Sequence, residues 1–150
     1  MSGKRPKPVF VDSCLLIEYF KDGSPQQDLV NRVYDLMNRA TRGELVLVIS
    51  TVVVAEVLTA RHEVDTLLLK KRILAVEALN LKAAMIARDI ALKHSVRPAD
   101  ACNIAVALHA ECREFYTTDK GLIGKIVGGM HITEPPVPDS PTQYSLVLDQ

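Results

Sequence analysis

A chain of 150 residues, 48% hydrophobic and 24% charged, is long enough to bury one continuous core, and its composition argues against a disordered or fibrous protein. Its 18 basic and 18 acidic residues cancel, which argues against a general nucleic-acid coat, and 5% aromatics with no Trp argues against a stacking platform for single strands. Three scattered cysteines, Cys14, Cys102 and Cys112, contain no C-x-x-C pair, so a disulfide framework and a zinc ribbon are not expected and reduced thiols are.

Val9-Phe10-Val11 reads as a short buried strand ending at Asp12, followed by a helix through Leu15, Leu16, Tyr19 and Phe20 that Lys21-Asp22-Gly23 breaks. Ser24-Pro25-Gln26-Gln27 predicts the next helix start, with Ser24 as N-cap, Pro25 in the first turn and Gln27 closing a capping box. Leu29, Val30, Val33, Leu36, Met37 and Ala40 form its apolar stripe, and Gly43 suits the position past its end. Leu45 to Ile49 is a second strand. For Val52 to Ala60 the β-branched run favours strand and the later Ala, Glu and Leu favour helix; helix is the expectation, with Ser50 as its cap.

Ile73 to Leu79 is a third strand, and Asn80 caps a helix with Ala83, Ile86, Ala87 and Ile90 inside. Pro98 opens an Ala-rich helix to about Glu111. Glu114 to Thr117 is a fourth strand, Leu122 to Val127 a short helix and His131 to Thr133 a last strand. Beyond Glu134, Pro135, Pro136, Pro138 and Pro141 forbid a regular helix. The chain therefore divides into a domain over 1–133 and an extended tail over 134–150, whose Tyr144 and Leu146 could dock on a partner. Alternating strands and helices predict an α/β fold, a mostly parallel sheet between helical layers.

The longest apolar stretch, Leu45 to Ala55, is interrupted by Ser50 and Thr51 and is too short to span a bilayer. The basic N-terminus is followed by only Val9, Phe10 and Val11 before Asp12, too little for a signal peptide. A cytoplasmic location is expected.

In such a fold ligands gather beyond the carboxyl ends of the strands. Asp12 follows the first strand, Glu56 the second, Asp119 the fourth, and Asp100 lies in the first turn of a helix. Each alone has an ordinary explanation: a cap, a solvated helix residue, a dipole partner or a turn. Together they would repel one another unless a cation neutralised them. An oxygen-only set suits Mg²⁺ or Mn²⁺, which can activate water and stabilise a phosphodiester displacement.

Val9-Phe10-Val11-Asp12-Ser13, Ser50-Thr51-Val52-Val53-Val54-Ala55-Glu56, Pro98-Ala99-Asp100-Ala101-Cys102-Asn103 and Phe115-Tyr116-Thr117-Thr118-Asp119 resemble, in order, the four motifs of PIN-domain nucleases. The resemblance implies a three-layer α/β/α sandwich and a Mg²⁺- or Mn²⁺-dependent endoribonuclease in which Asp12, Glu56, Asp100 and Asp119 hold the metal. Ser13 and Thr117 would orient waters or carboxylates; Asn103, one turn beyond Asp100, reads either as a partial substitute for a missing acid on the same side or as a helix-surface amide. The compact length is similar to VapC-type toxins of toxin–antitoxin pairs, which implies a homodimer acting on RNA and blocked by a small antitoxin. Two departures stand out: Gly121 occupies a position where many relatives have a further acid, and Cys14 one where a small polar residue is frequent.

Other signals carry less. The histidines lack paired ligand spacing, Gly121-Leu122-Ile123-Gly124-Lys125 is too short for a phosphate loop, and the thiols read as inert. Lys70-Lys71-Arg72, with Arg61 upstream, is the best basic patch for RNA phosphates, although a solvated helix face explains it as well. A D-x-D phosphatase would need an acid at Cys14, and a receiver domain further acids before Asp12. A housekeeping RNA-processing enzyme and a catalytically silent scaffold stay open as alternatives to the toxin.

Overall fold

The computed structural model describes residues 4–70 and 72–139, with the side chain of Lys70 left out. Six strands form one sheet in the order β3-β2-β1-β4-β6-β5. They are β1 (Lys7–Val11), β2 (Leu45–Ser50), β3 (Leu74–Glu77), β4 (Glu114–Tyr116), β5 (Ile126–Val127) and β6 (Met130–Thr133). All neighbours are parallel except β5, which pairs antiparallel with β6 at the edge. The chain steps outward from β1 through β2 to β3, then crosses back to place β4 on the other side of β1. Right-handed crossovers in these two directions put helices on opposite faces, giving the expected three layers.

The helices are α1 (Ser13–Tyr19), α2 (Gln27–Thr41), α3 (Thr51–Glu56), α4 (Arg61–Asp65), α5 (Leu81–His94) and α6 (Pro98–His109), with a π-helical turn over Thr66–Lys70. The stripe of α2 is buried as its spacing predicts. Its end is a Schellman motif: Gly43, at φ +80°, donates its N–H to Ala40, and Glu44 donates to Arg39. Ala101, Ala105 and Ala107 bring α6 close to the sheet alongside Ile104 and Val106. At the centre, Phe10 and Phe115 face each other in register across β1 and β4, stacked at 4.7 Å and fully buried.

Three local expectations need correction. Helix α2 starts at Gln27, with Gln26 as cap and no capping side chain, so Ser24 and Pro25 lie outside it. A tertiary contact fixes that start: the Gln26 N–H donates to Glu18 on α1 at 2.7 Å. Ser50 does cap α3, accepting from the Val53 N–H at 3.1 Å, but the helix ends at Glu56 rather than Ala60. β-Branched residues hold a helix weakly, and Val57 turns to extended backbone and buries itself in the core. Leu122 to Val127 is not a helix. The Asp119 carbonyl accepts from Leu122 and Ile123 for a single turn, Gly124 sits at φ +95°, and Ile126–Val127 form a hairpin with β6. Gly128 and Gly129, both at positive φ, make the two-residue hairpin loop that Gly-Gly signals.

The proline-rich segment begins against α2. Arg32 donates to the Pro135 carbonyl at 3.0 Å and pairs with Glu134 at 3.4 Å, while Pro135 and Pro138 are buried. Tyr144 and Leu146 lie outside the described residues. No helix among the described residues is long and apolar enough to cross a membrane.

Candidate active site

Strand order reverses between β1 and β4, and a crevice at the carboxyl ends of the strands opens at such a point. Asp12 leaves β1 there and is the N-cap of α1. Its Oδ1 accepts from the Ser13 N–H at 2.9 Å and its Oδ2 from the Thr117 hydroxyl at 2.8 Å. Thr117, one residue beyond β4 and fully buried, also accepts from the Asp119 N–H at 3.1 Å. One hydroxyl thus ties the ends of β1 and β4 together and fixes the carboxylate's direction. Ser13 contributes through its backbone N–H.

Glu56 and Asp100 come from the other side of the crevice. Ser50, wholly buried, donates its hydroxyl to Asn103 Oδ1, and the Asn103 side chain hydrogen-bonds Glu56. Because the Ser50 hydroxyl takes the amide oxygen, the amide nitrogen of Asn103 is left to donate to Glu56. Asn103 is 2% exposed, so it is a buried strut and not a surface amide.

The charges bear on one another. Burial pushes the Asp12 carboxyl above its ordinary value, the bonds from Thr117 and Ser13 oppose that, and Asp100 adds to the rise. The Glu56 carboxyl is also raised, first by partial desolvation and then by Asp12 and Asp100, against the opposing effects of Asn103 and Arg97. Asp12, Glu56 and Asp100 therefore form one electrostatic group. Asp119 joins it through a cation: Arg97 donates from Nε to Asp100 at 3.1 Å and from Nη2 to Asp119 at 3.2 Å. The second Asp119 oxygen accepts from the Gly121 N–H at 2.8 Å.

Among the described residues no three His, Cys, Asp or Glu side chains stand close enough to enclose an ion by themselves. The chemistry of the donor set nevertheless fits a hard divalent cation: oxygen-only, mutually repelling carboxylates braced by a hydroxyl and an amide. Ions such as Mg²⁺ retain several waters and need only one or two carboxylates directly.

Sequence reasoning missed two participants. Arg97 carried a readable signal, a cation three residues before Asp100 at a helix start. Cys14 read as inert, yet its Sγ lies 3.8 Å from Asp12 Oδ2 and 3.5 Å from Thr117 Oγ1, and it accepts from the Thr118 N–H. Burial pushes its thiol upward, and Asp12 pushes it further. Of the basic run, the described Arg72 is not brought to the acids. Arg72 lies two residues before β3, at the end of the sheet where the strands begin, and borders a cavity with Ala40 and Thr41 at the end of α2. Arg61 opens α4, while Lys71 and the Lys70 side chain lie outside the described residues.

The PIN domain model matches residues 9–125. The fold is similar to the crystal structure of the Mycobacterium tuberculosis toxin VapC20, described as cleaving the sarcin–ricin loop, with a TM-score of 0.57, 15% identity, and coverage of 74% of this chain and 89% of that one. No curated protein matches the chain by sequence. With the strand order, the acids at the switch point and a family match over most of its length, the chain belongs to the PIN-domain family.

Proposed function

We propose that the chain is a divalent-metal-dependent endoribonuclease, the toxin of a toxin–antitoxin pair, acting in the cytoplasm as a homodimer restrained by a small antitoxin. The observation that supports the nuclease reading is the convergence of Asp12, Glu56 and Asp100 at the β1–β4 switch point, where burial raises the Asp12 and Glu56 carboxyls and the charge of Asp100 adds to both rises. VapC20 is described as cleaving the sarcin–ricin loop, and RNA is the substrate class expected here.

Mg²⁺ or Mn²⁺ held by Asp12, Glu56, Asp100 and Asp119 would supply activation of water and stabilisation of charge on the phosphate. The chain's own residues do the rest. Thr117 and the Ser13 N–H fix the direction of Asp12 and favour its ionised form against the burial that raises it. Asn103 orients Glu56, whose raised carboxyl at the rim suits it to exchange a proton at an Oε atom. Thr117→Val removes both the hydroxyl on Asp12 and the acceptor for Asp119, and Mn²⁺ affinity by calorimetry should fall about 10–100-fold.

Purified protein should cut a pool of structured RNAs with Mg²⁺ or Mn²⁺ and not with EDTA. Cutting that persists in EDTA overturns the metal reading. A silent scaffold draws on one observation, that Arg97 already neutralises two of the acids. A protein that neither binds metal nor cuts RNA would establish it.

Arg61, Lys70, Lys71 and Arg72 are proposed to contact RNA phosphates away from the cut. Neutralising Lys70, Lys71 and Arg72 together should lower the slope of log affinity against log salt by about two to three. An unchanged slope removes the basic run from the binding surface.

A further inference from the structure

Arg97 is placed by rigid backbone. It is the N-cap of α6, in extended conformation, and Pro98 follows as the first helical residue. From there a single guanidinium spans the Oδ2 atoms of Asp100 and Asp119, two residues on different elements that share no other bond. The other Asp119 oxygen, Oδ1, accepts from the Gly121 N–H, which fixes the direction of the carboxylate. Gly121 is suited to this turn: a Cβ there would stand 3.2 Å from Asp119 Oδ1. Arg97 also borders a cavity of about 340 Å³ with Ser95, Val96 and Leu122, so its side chain has room to swing aside.

Exposure decides how firmly this clamp is set. The Arg97 side chain is 78% exposed, while those of Asp100 and Asp119 are 18% and 33% exposed. Ion pairs with one partner in solvent are weak and side-chain entropy favours their opening. A positive charge within a few ångströms of the same oxygens still opposes any cation that approaches them.

We propose that Arg97 is the resident counter-ion of the acid cluster, a positioning residue that holds Asp100 and Asp119 together until a divalent cation displaces it. The inference rests on the metallonuclease reading above and adds that metal affinity is set by competition with the chain's own guanidinium. Arg97 is thus a brake on metal loading. A merely structural Arg97 would have the opposite effect, since its loss would scatter the acids and weaken metal binding.

Calorimetric titration of Mn²⁺ into wild type, Arg97→Gln and Arg97→Lys tests this. Arg97→Gln should bind about tenfold tighter, and Arg97→Lys, which keeps the charge, should return toward wild type. Equal or weaker binding by Arg97→Gln, beside a wild type that binds, overturns the inference and leaves the metal site standing. Binding by neither protein overturns both. Should Arg97→Gln fail to fold, the Arg97 Nε–H resonance of the wild type supplies the test. Its exchange with water should speed up when Mg²⁺ is added, and unchanged protection in the metal-loaded protein overturns the inference.

Discussion

Asp12→Asn is expected to lower RNA cleavage by at least ~10³-fold while making the metal-free protein more stable. The loss follows from position: Asp12 is the most buried of the four acids and stands where β1 and β4 separate. On the proposed metallonuclease reading, removing its charge would withdraw a ligand from a metal that would contribute several kcal/mol to the transition state, and each ~1.4 kcal/mol is tenfold in rate. The gain follows from proton linkage. The folded pKa of Asp12 lies above its ordinary 3.8, chiefly through burial. Between the two values the folded state keeps a proton that the unfolded state has released, so stability falls as pH rises through that window and stays reduced above it. Asn carries no such charge and can still accept the Ser13 N–H. The metal-free variant should gain roughly 1 kcal/mol at neutral pH, about 2–4 °C in melting temperature for a chain of this size. Melts in EDTA at pH 4 and pH 7.5 check it: the difference between variant and wild type should be larger at pH 7.5.

Phe115→Ala should have the largest effect on the fold, about 3–5 kcal/mol. Phe115 is fully buried, pairs in register with Phe10 and stacks on it nearly parallel, at 12° between ring planes. Truncation leaves a cavity at the β1–β4 seam, between strands whose next residues are Val11 and Tyr116 and whose ends carry Asp12 and Thr117. Flanking strands are held by hydrogen bonds and cannot close the gap. Phe115→Leu keeps most of the volume and should cost far less. Urea unfolding monitored by circular dichroism measures both. A loss under about 1 kcal/mol for Phe115→Ala would show that the seam is held by something other than this pair.

How much of this was legible depended on range. Period and composition located β1, β2 and the stripe of α2, because burial of Phe10, Leu47 or Leu36 is written in spacing alone. Gly43 and Asn80 marked ends through their own backbone preferences, and Asn80 does accept from the Ala83 N–H at 2.8 Å. The start of α2 was not legible, since Glu18 on another helix sets it. The early end of α3 reflects Val57 choosing the core over the helix, a tertiary preference overriding a local one. The hairpin at Gly128-Gly129 could have been read from its two glycines, but the apolar run before it suggested a helix turn.

The candidate site was legible as a set of acids at strand ends and helix starts, and not as a network. Thr117 was expected to orient a carboxylate; that it bridges Asp12 and Asp119 needed the fold. Asn103 reads as a helix amide in sequence, and only its bond from Ser50 on β2 gives its amide a direction. Arg61 and Arg72 look like one patch along the chain, yet α4 and the π-helical turn between them carry the chain from the carboxyl ends of the strands back to the end where β3 begins. The Arg97 bridge was invisible because its second partner, Asp119, is 22 residues away.

The central claim is that Asp12, Glu56, Asp100 and Asp119 form a divalent-metal site, and direct Mn²⁺ binding tests it. Mn²⁺ titrated into wild type, Asp12→Asn and Glu56→Gln can be followed by the loss of the free-ion electron-paramagnetic-resonance signal. Saturable binding by the wild type, weakened at least about tenfold in each variant, is the predicted result. No saturable binding, or binding that both variants retain unchanged, would contradict the claim and leave the acids as a charged crevice with Arg97 as counter-ion.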